Sequence, residues 1–144
     1  MMFWKPFTPE QEAEIVEAIG FAEKRTSAEL RVHADKYCKS DAGNKAANVF
    51  KQLKMNRTED RNGVLIYISV LDRKFSIIGD AGINEKVPAD FWQSTRDKML
   101  VKFKNDELVA GIKQGIEEAA EQLAIHFPYK SNDKNELSND ISYG

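Results

Sequence analysis

After Thr8-Pro9-Glu10-Gln11, apolar residues recur at Ile15, Val16, Ile19 and either Ala22 or Phe21, the spacing of a helix. Thr8 stands where a cap belongs, Pro9 fits the first helical position, and Gln11 completes a capping box. From Ala28 to Ala34 the pattern changes to alternation. Leu30, Val32 and Ala34 face one way and Glu29, Arg31 and His33 the other, which predicts a strand. A second helix, capped by Ser40 or Asp41, carries Ala46, Ala47, Val49, Phe50 and Leu53 and stops near Met55-Asn56. The run Val64-Leu65-Ile66-Tyr67-Ile68-Ser69-Val70 is almost wholly apolar and rich in β-branched residues, as expected of a central strand covered on both faces. Leu71-Asp72-Arg73 turns it into Lys74–Gly79, making a hairpin. Pro88-Ala89-Asp90 opens a third helix with Phe91, Trp92, Met99, Leu100 and Phe103 as its apolar positions. Asn105 or Asp106 caps a fourth helix, which holds Leu108, Ile112, Ile116, Ala119, Ala120 and Leu123 and closes at Phe127-Pro128.

The order is helix, strand, helix, strand, strand, helix, helix. It predicts an α/β fold, a three-layer αβα sandwich with a small mixed central sheet and helices on both faces. The first crossover is expected to be right-handed, so its two strands run parallel. Residues 1–128 form the domain. Residues 129–144 are Ser, Asn, Asp and Lys with few apolar positions, and are expected to be a disordered tail.

This topology gathers polar loops. With the first two strands parallel and the third reversed, Glu29, Glu59, Asp60, Asn62, Asp80 and Asn84 collect at one end of the sheet, with Arg57 and Arg61 as the local counter-charges. Carboxylates and amide oxygens without His or Cys suit a hard cation, calcium or magnesium. Gly63, Gly79 and Gly82 would let backbone approach it. The structural alternative is that these residues shape turns and face water.

Composition narrows the remaining classes. The formal net charge of −2 argues against nucleic acid, which requires a concentrated positive surface. A single cysteine, Cys38, leaves no internal disulfide and no CxxC zinc motif. Its neighbour His33 would be needed as a base for nucleophilic chemistry, but Cys38 is read as a buried structural residue. His126 falls in the last turn of the final helix, where it complements the dipole. The start has no signal-peptide pattern and no apolar run is long enough to cross a bilayer, which predicts a cytoplasmic protein without membrane insertion. No GxSxG, P-loop or HExxH motif is present.

Four segments resemble the TPM domain family. They are Thr26-Ser27-Ala28-Glu29-Leu30-Arg31-Val32, Arg61-Asn62-Gly63-Val64-Leu65-Ile66-Tyr67-Ile68, Asp72-Arg73-Lys74-Phe75 with Ile78-Gly79-Asp80-Ala81-Gly82-Ile83-Asn84, and Asn105-Asp106 followed by Gly111 and Gly115. The resemblance runs from about residue 8 to 127. It implies an αβα sandwich with two crossing loops that hold divalent metal, usually calcium. Carried over position by position, the candidate ligands are Glu29, Asp60, Asn62, Asp80 and Asn84. Many relatives are exported and membrane-anchored, features that this sequence does not show, and many have Glu shortly after the Gly-rich loop, where Asn84-Glu85 stands here. Three functions follow as expectations. The first is a calcium-binding module with metal-ordered loops, magnesium being the other candidate ion, that presents a surface to a protein partner. The second, implied by some relatives, is a metal-dependent acid phosphatase acting on phosphomonoesters. The third is an interaction domain whose acidic loops bind no ion.

Overall fold

The computed structural model describes residues 4–131 and 135–144. Its sheet begins with the pairing of β1 (Glu29–Asp35) and β2 (Gly63–Ser69). They run parallel in unbroken register, from Glu29 opposite Gly63 to Asp35 opposite Ser69. β3 (Lys74–Gly79) returns antiparallel along β2. A fourth strand, β4 (Ser142–Tyr143), pairs parallel with the free edge of β1. The strand order is β3-β2-β1-β4.

Period-two alternation divides the strands between two cores. Leu30, Val32, Ala34, Val64, Ile66 and Ile68 point into a large cluster with α1 (Pro9–Ala22), α4 (Gln93–Lys104) and α5 (Leu108–His126). Leu65 and Tyr67 point the other way, into a smaller cluster with Ala46, Val49 and Phe50 of α2 (Ala42–Gln52). This is the expected three-layer arrangement, with α1, α4 and α5 on one face and α2 on the other. Burial of each large aliphatic side chain in these layers stabilises the fold by roughly 1.5–3 kcal/mol. The helix starts follow the sequence where a side chain can reach the backbone. Thr8 and Gln11 form the capping box on α1, and Asp41, rather than Ser40, caps α2.

Three local expectations are corrected. Residues 88–92 form turns, and the third long helix begins only at Gln93. The fourth is capped by neither Asn105 nor Asp106. Asp106 takes a left-handed conformation (φ 59°), Glu107 precedes α5 without a side-chain cap, and the Asp106 carboxylate faces outward to Arg73. Residues 81–84, expected as loop, wind into a short helical turn, α3 (Ala81–Asn84), capped by Asp80.

The larger correction concerns residues 129–144. Of these, 132–134 lie outside the described residues. The segment from 135 onward is not a free tail but crosses the polar loop end and then adds β4. Ile141 is buried, Tyr143 packs on the main core and Leu137 on the smaller one, so a few apolar residues anchor a largely polar stretch. The Glu29 carboxylate accepts hydrogen bonds from the amides of Glu136 and Leu137, the latter at 2.9 Å.

Glu29→Ala removes the acceptor for two partly buried amides, at a cost of about 1–3 kcal/mol. The expected result is loss of amide-exchange protection at Glu136, Leu137 and Tyr143 while β2 stays protected.

Candidate functional site

The β1–β2 pairing places Glu29 at the same sheet end as the loop before Gly63, and β3 delivers Asp80 there beside them. All five sequence candidates are thus at one end, but the structure gives them different work. Asp80 is buried, at 6% exposure. Its two oxygens accept from the Arg61 guanidinium at 2.7 and 2.8 Å, and one also accepts from the Ala81 amide. Pairing with Asp80, first through the hydrogen bonds and then through charge, raises the Arg61 pKa. The Arg61 side chain remains half exposed and its backbone is left-handed, at φ 50°.

Asn62 is a pin. It is 2% exposed, its side-chain nitrogen donates to the Ser27 carbonyl, and its amide donates to Thr58 Oγ1. Glu29 clamps the returning segment. Asp60 is half exposed, with Lys130 at 3.9 Å, and Asn84 donates from its side-chain nitrogen to the Gly79 carbonyl. Glu59 donates its amide to the Glu136 carboxylate. Two loops cross where Gly82 donates to the Arg61 carbonyl at 2.9 Å. A Cβ at residue 82 would overlap the carbonyl oxygen of Asp60, so glycine here permits one loop to cross directly over the other.

Beside the crossing lies an open pocket of about 330 Å³. Asp60, Gly82 and Glu85 border it together with Lys86, His126 and Lys130. The donor chemistry at this end fits a hard cation. Among the described residues no group of three His, Cys, Asp or Glu side chains comes together there. Asp80 is instead satisfied by Arg61.

A second polar cluster lies at the opposite end of β1. His33 and Asp35 share a strand face, and their side chains meet at 2.9 Å. Tyr67 donates to the other Asp35 oxygen at 2.6 Å and its ring stacks on His33. The remaining His33 nitrogen lies 2.7 Å from Ser142 Oγ on β4. The strand alternation puts His33 beside Asp35, but Ser142 is 109 residues away and carries no local signal. Both ring nitrogens are therefore taken by groups other than Cys38. The thiol is buried beside Tyr67 and donates to the Ser40 carbonyl. Burial, chiefly, lowers the His33 pKa, opposed by Asp35 and reinforced by Lys45 and Arg31. Burial also pushes the Tyr67 phenol up.

Fold and loops together define a small α/β sandwich domain whose polar loops cross at the amino ends of two parallel strands. A family model for the TPM domain matches residues 5–122, and the chain belongs to that family. It is similar to the BA42 protein of the psychrophilic bacterium Bizionia argentinensis, with 45% identity over 99% of each chain and a TM-score of 0.92. The same fold is found in the N-terminal domain of a P. gingivalis protein, at 16% identity over 85% of this chain and 80% of that one, with a TM-score of 0.69. It recurs in the N-terminal domain of the Corynebacterium glutamicum cg2496 protein, at 7% identity over 94% and 80% of the two chains, with a TM-score of 0.65. No curated protein matches the chain. Among the described residues no helix is long and apolar enough to cross a membrane.

Two outcomes test this geometry. Gly82→Ala forces the crossed loops apart and is expected to cost about 1–3 kcal/mol, read as a lower denaturant midpoint. The second concerns acid. Because the folded state lowers the His33 pKa, the unfolded chain takes up a proton first as pH falls below about 6.5, so stability declines on acidification. His33→Gln is expected to flatten the melting temperature between about pH 7.5 and 5.5 relative to the parent.

Proposed function

We propose that this domain is a calcium-responsive binding module whose ion is taken at the loop crossing, with Asp80 as anchor and Arg61 as the group it displaces. The observation that carries this reading is the Arg61–Asp80 pair. A carboxylate at 6% exposure needs a counter-charge, and its partner is a cation on a half-exposed side chain that can swing into water. A divalent cation competes for the same oxygens. Asp60 and Asn84, both near the solvent side, supply further hard oxygens, and loop carbonyls complete such sites. Displacing Arg61 alters the crossing between the two loops, and this couples ion binding to the shape of the surface offered to a protein partner. Magnesium, which demands tighter octahedral geometry, fits an adaptable loop site less well.

A second reading, a metal-dependent phosphomonoesterase, is favoured by one observation. The neighbouring pocket sets Lys86 and Lys130 near Asp60 and Glu85, which places cationic groups for a phosphate beside acidic ones. It requires turnover of an aryl phosphate that is lost both with chelator and in Asp80→Asn.

The discriminating measurement is an amide NMR titration of chelator-treated protein with calcium, then magnesium. Saturable shifts are expected at residues 60, 61 and 80–84. Asp80→Asn should abolish them, and Arg61→Gln should tighten calcium severalfold by removing the competitor. Unchanged affinity in Asp80→Asn, or weaker binding in Arg61→Gln, overturns the site.

A further inference from the structure

The end of the sheet opposite the loops holds a different kind of cavity. Its volume is about 390 Å³, within the range of small-molecule sites. It opens where β2 ends and β3 begins, between the hairpin and the α4–α5 connection. In open α/β sheets the crevice beyond the carboxyl ends of parallel strands is the usual place for a ligand. The metal-loop candidates occupy the amino ends instead, where Glu29 faces Gly63.

The floor is apolar: Ile68, Val70, Phe75, Leu100, Phe103 and Leu108 line it. Phe75 and Phe103 meet edge to face at 4.9 Å. Phe103 is set by Gly111, since a Cβ there would overlap the ring. Leu100 is left 39% exposed. The rim is cationic. Arg73, Lys74 and Lys104 border the cavity against a single carboxylate, Asp106. The Lys74 Nζ, however, is drawn off to the Cys38 and Ser40 carbonyls at 2.8 and 3.1 Å, neither of which lines the cavity, so its charge lies away from the rim. Asp72, next in the hairpin, accepts instead from the Cys38 amide and from Ser69 Oγ. Arg73 and Asp106 form an ion pair of 3.1 Å, both side chains largely exposed and both backbones left-handed. An exposed pair of this kind is weak and readily exchanged. Left-handed non-glycine residues are uncommon, and two of them share this cavity and bond to one another.

We infer that this cavity is a binding site for a small amphipathic anion, a carboxylate on a medium-length alkyl chain. The chain lies on the Phe75–Phe103 floor and the carboxylate takes the place of Asp106 against Arg73, with Lys104 beside it. An amine meets two like charges, and a sugar or free phosphate leaves the apolar floor uncovered. The site is independent of the loop crossing and uses none of its residues.

The test is titration of ¹⁵N-labelled protein with decanoate, decanol and decylammonium, which share one chain and differ in charge. Decanoate should give saturable shifts at Ile68, Val70, Phe75, Phe103 and Leu108, and decylammonium should bind about tenfold or more weakly. The double variant Arg73→Gln/Lys104→Gln changes only surface groups and should melt as the parent does. It should bind decanoate no better than decanol. Equal affinity of the parent for all three amphiphiles, shifts centred elsewhere, or no saturation below millimolar decanoate would each overturn the assignment.

Discussion

The parallel register of β1 against β2 is the constraint from which the rest of the molecule follows. Seven consecutive pairs, from Glu29 with Gly63 to Asp35 with Ser69, fix which residues share an end and which share a face. A slip of one residue would turn Leu30, Val32 and Ala34 out of the main core and send Arg31 and His33 into it. The same register brings the 58–62 loop beside Glu29, and the hairpin then carries Asp80 to Arg61. It also sets Asp35 under Tyr67. Neither polar cluster would assemble if this ladder were different.

Much of this was legible in the residues because the signals are local and periodic. The alternation at 30–34, the apolar run at 64–70 and the Thr8–Gln11 box each report on neighbours in sequence, and each element formed. The gathering of acidic and amide residues at one end followed from strand direction alone. What the residues did there did not follow, because hydrogen-bond partners are settled by side-chain reach. Arg61 was read as a local counter-charge and holds both oxygens of Asp80. Asn62 was read as a ligand candidate and is a buried pin. The final segment was the largest misreading. Its polar composition predicts disorder, while its anchoring depends on Ile141 and Tyr143 and on a carboxylate more than 100 residues away.

The two sheet ends are chemically opposed. The amino end is built of carboxylates, amides and crossing loops, with a buried charge satisfied by a half-exposed one. The carboxyl end is apolar beneath a cationic rim. A rigid sheet between them holds both in fixed relation, as a scaffold with functional groups on its connections does generally.

The returning segment also governs the order in which the sheet is completed. Its bonds to Glu29 and His33 span 108 and 109 residues, among the longest chain closures in the fold. Such contacts form after the local and hairpin contacts that reward their entropy sooner. Until they do, the outer edge of β1 presents unpaired backbone to any other extended chain. The last few residues are thus a folding-stage guard against edge-to-edge aggregation as well as a part of the finished sheet.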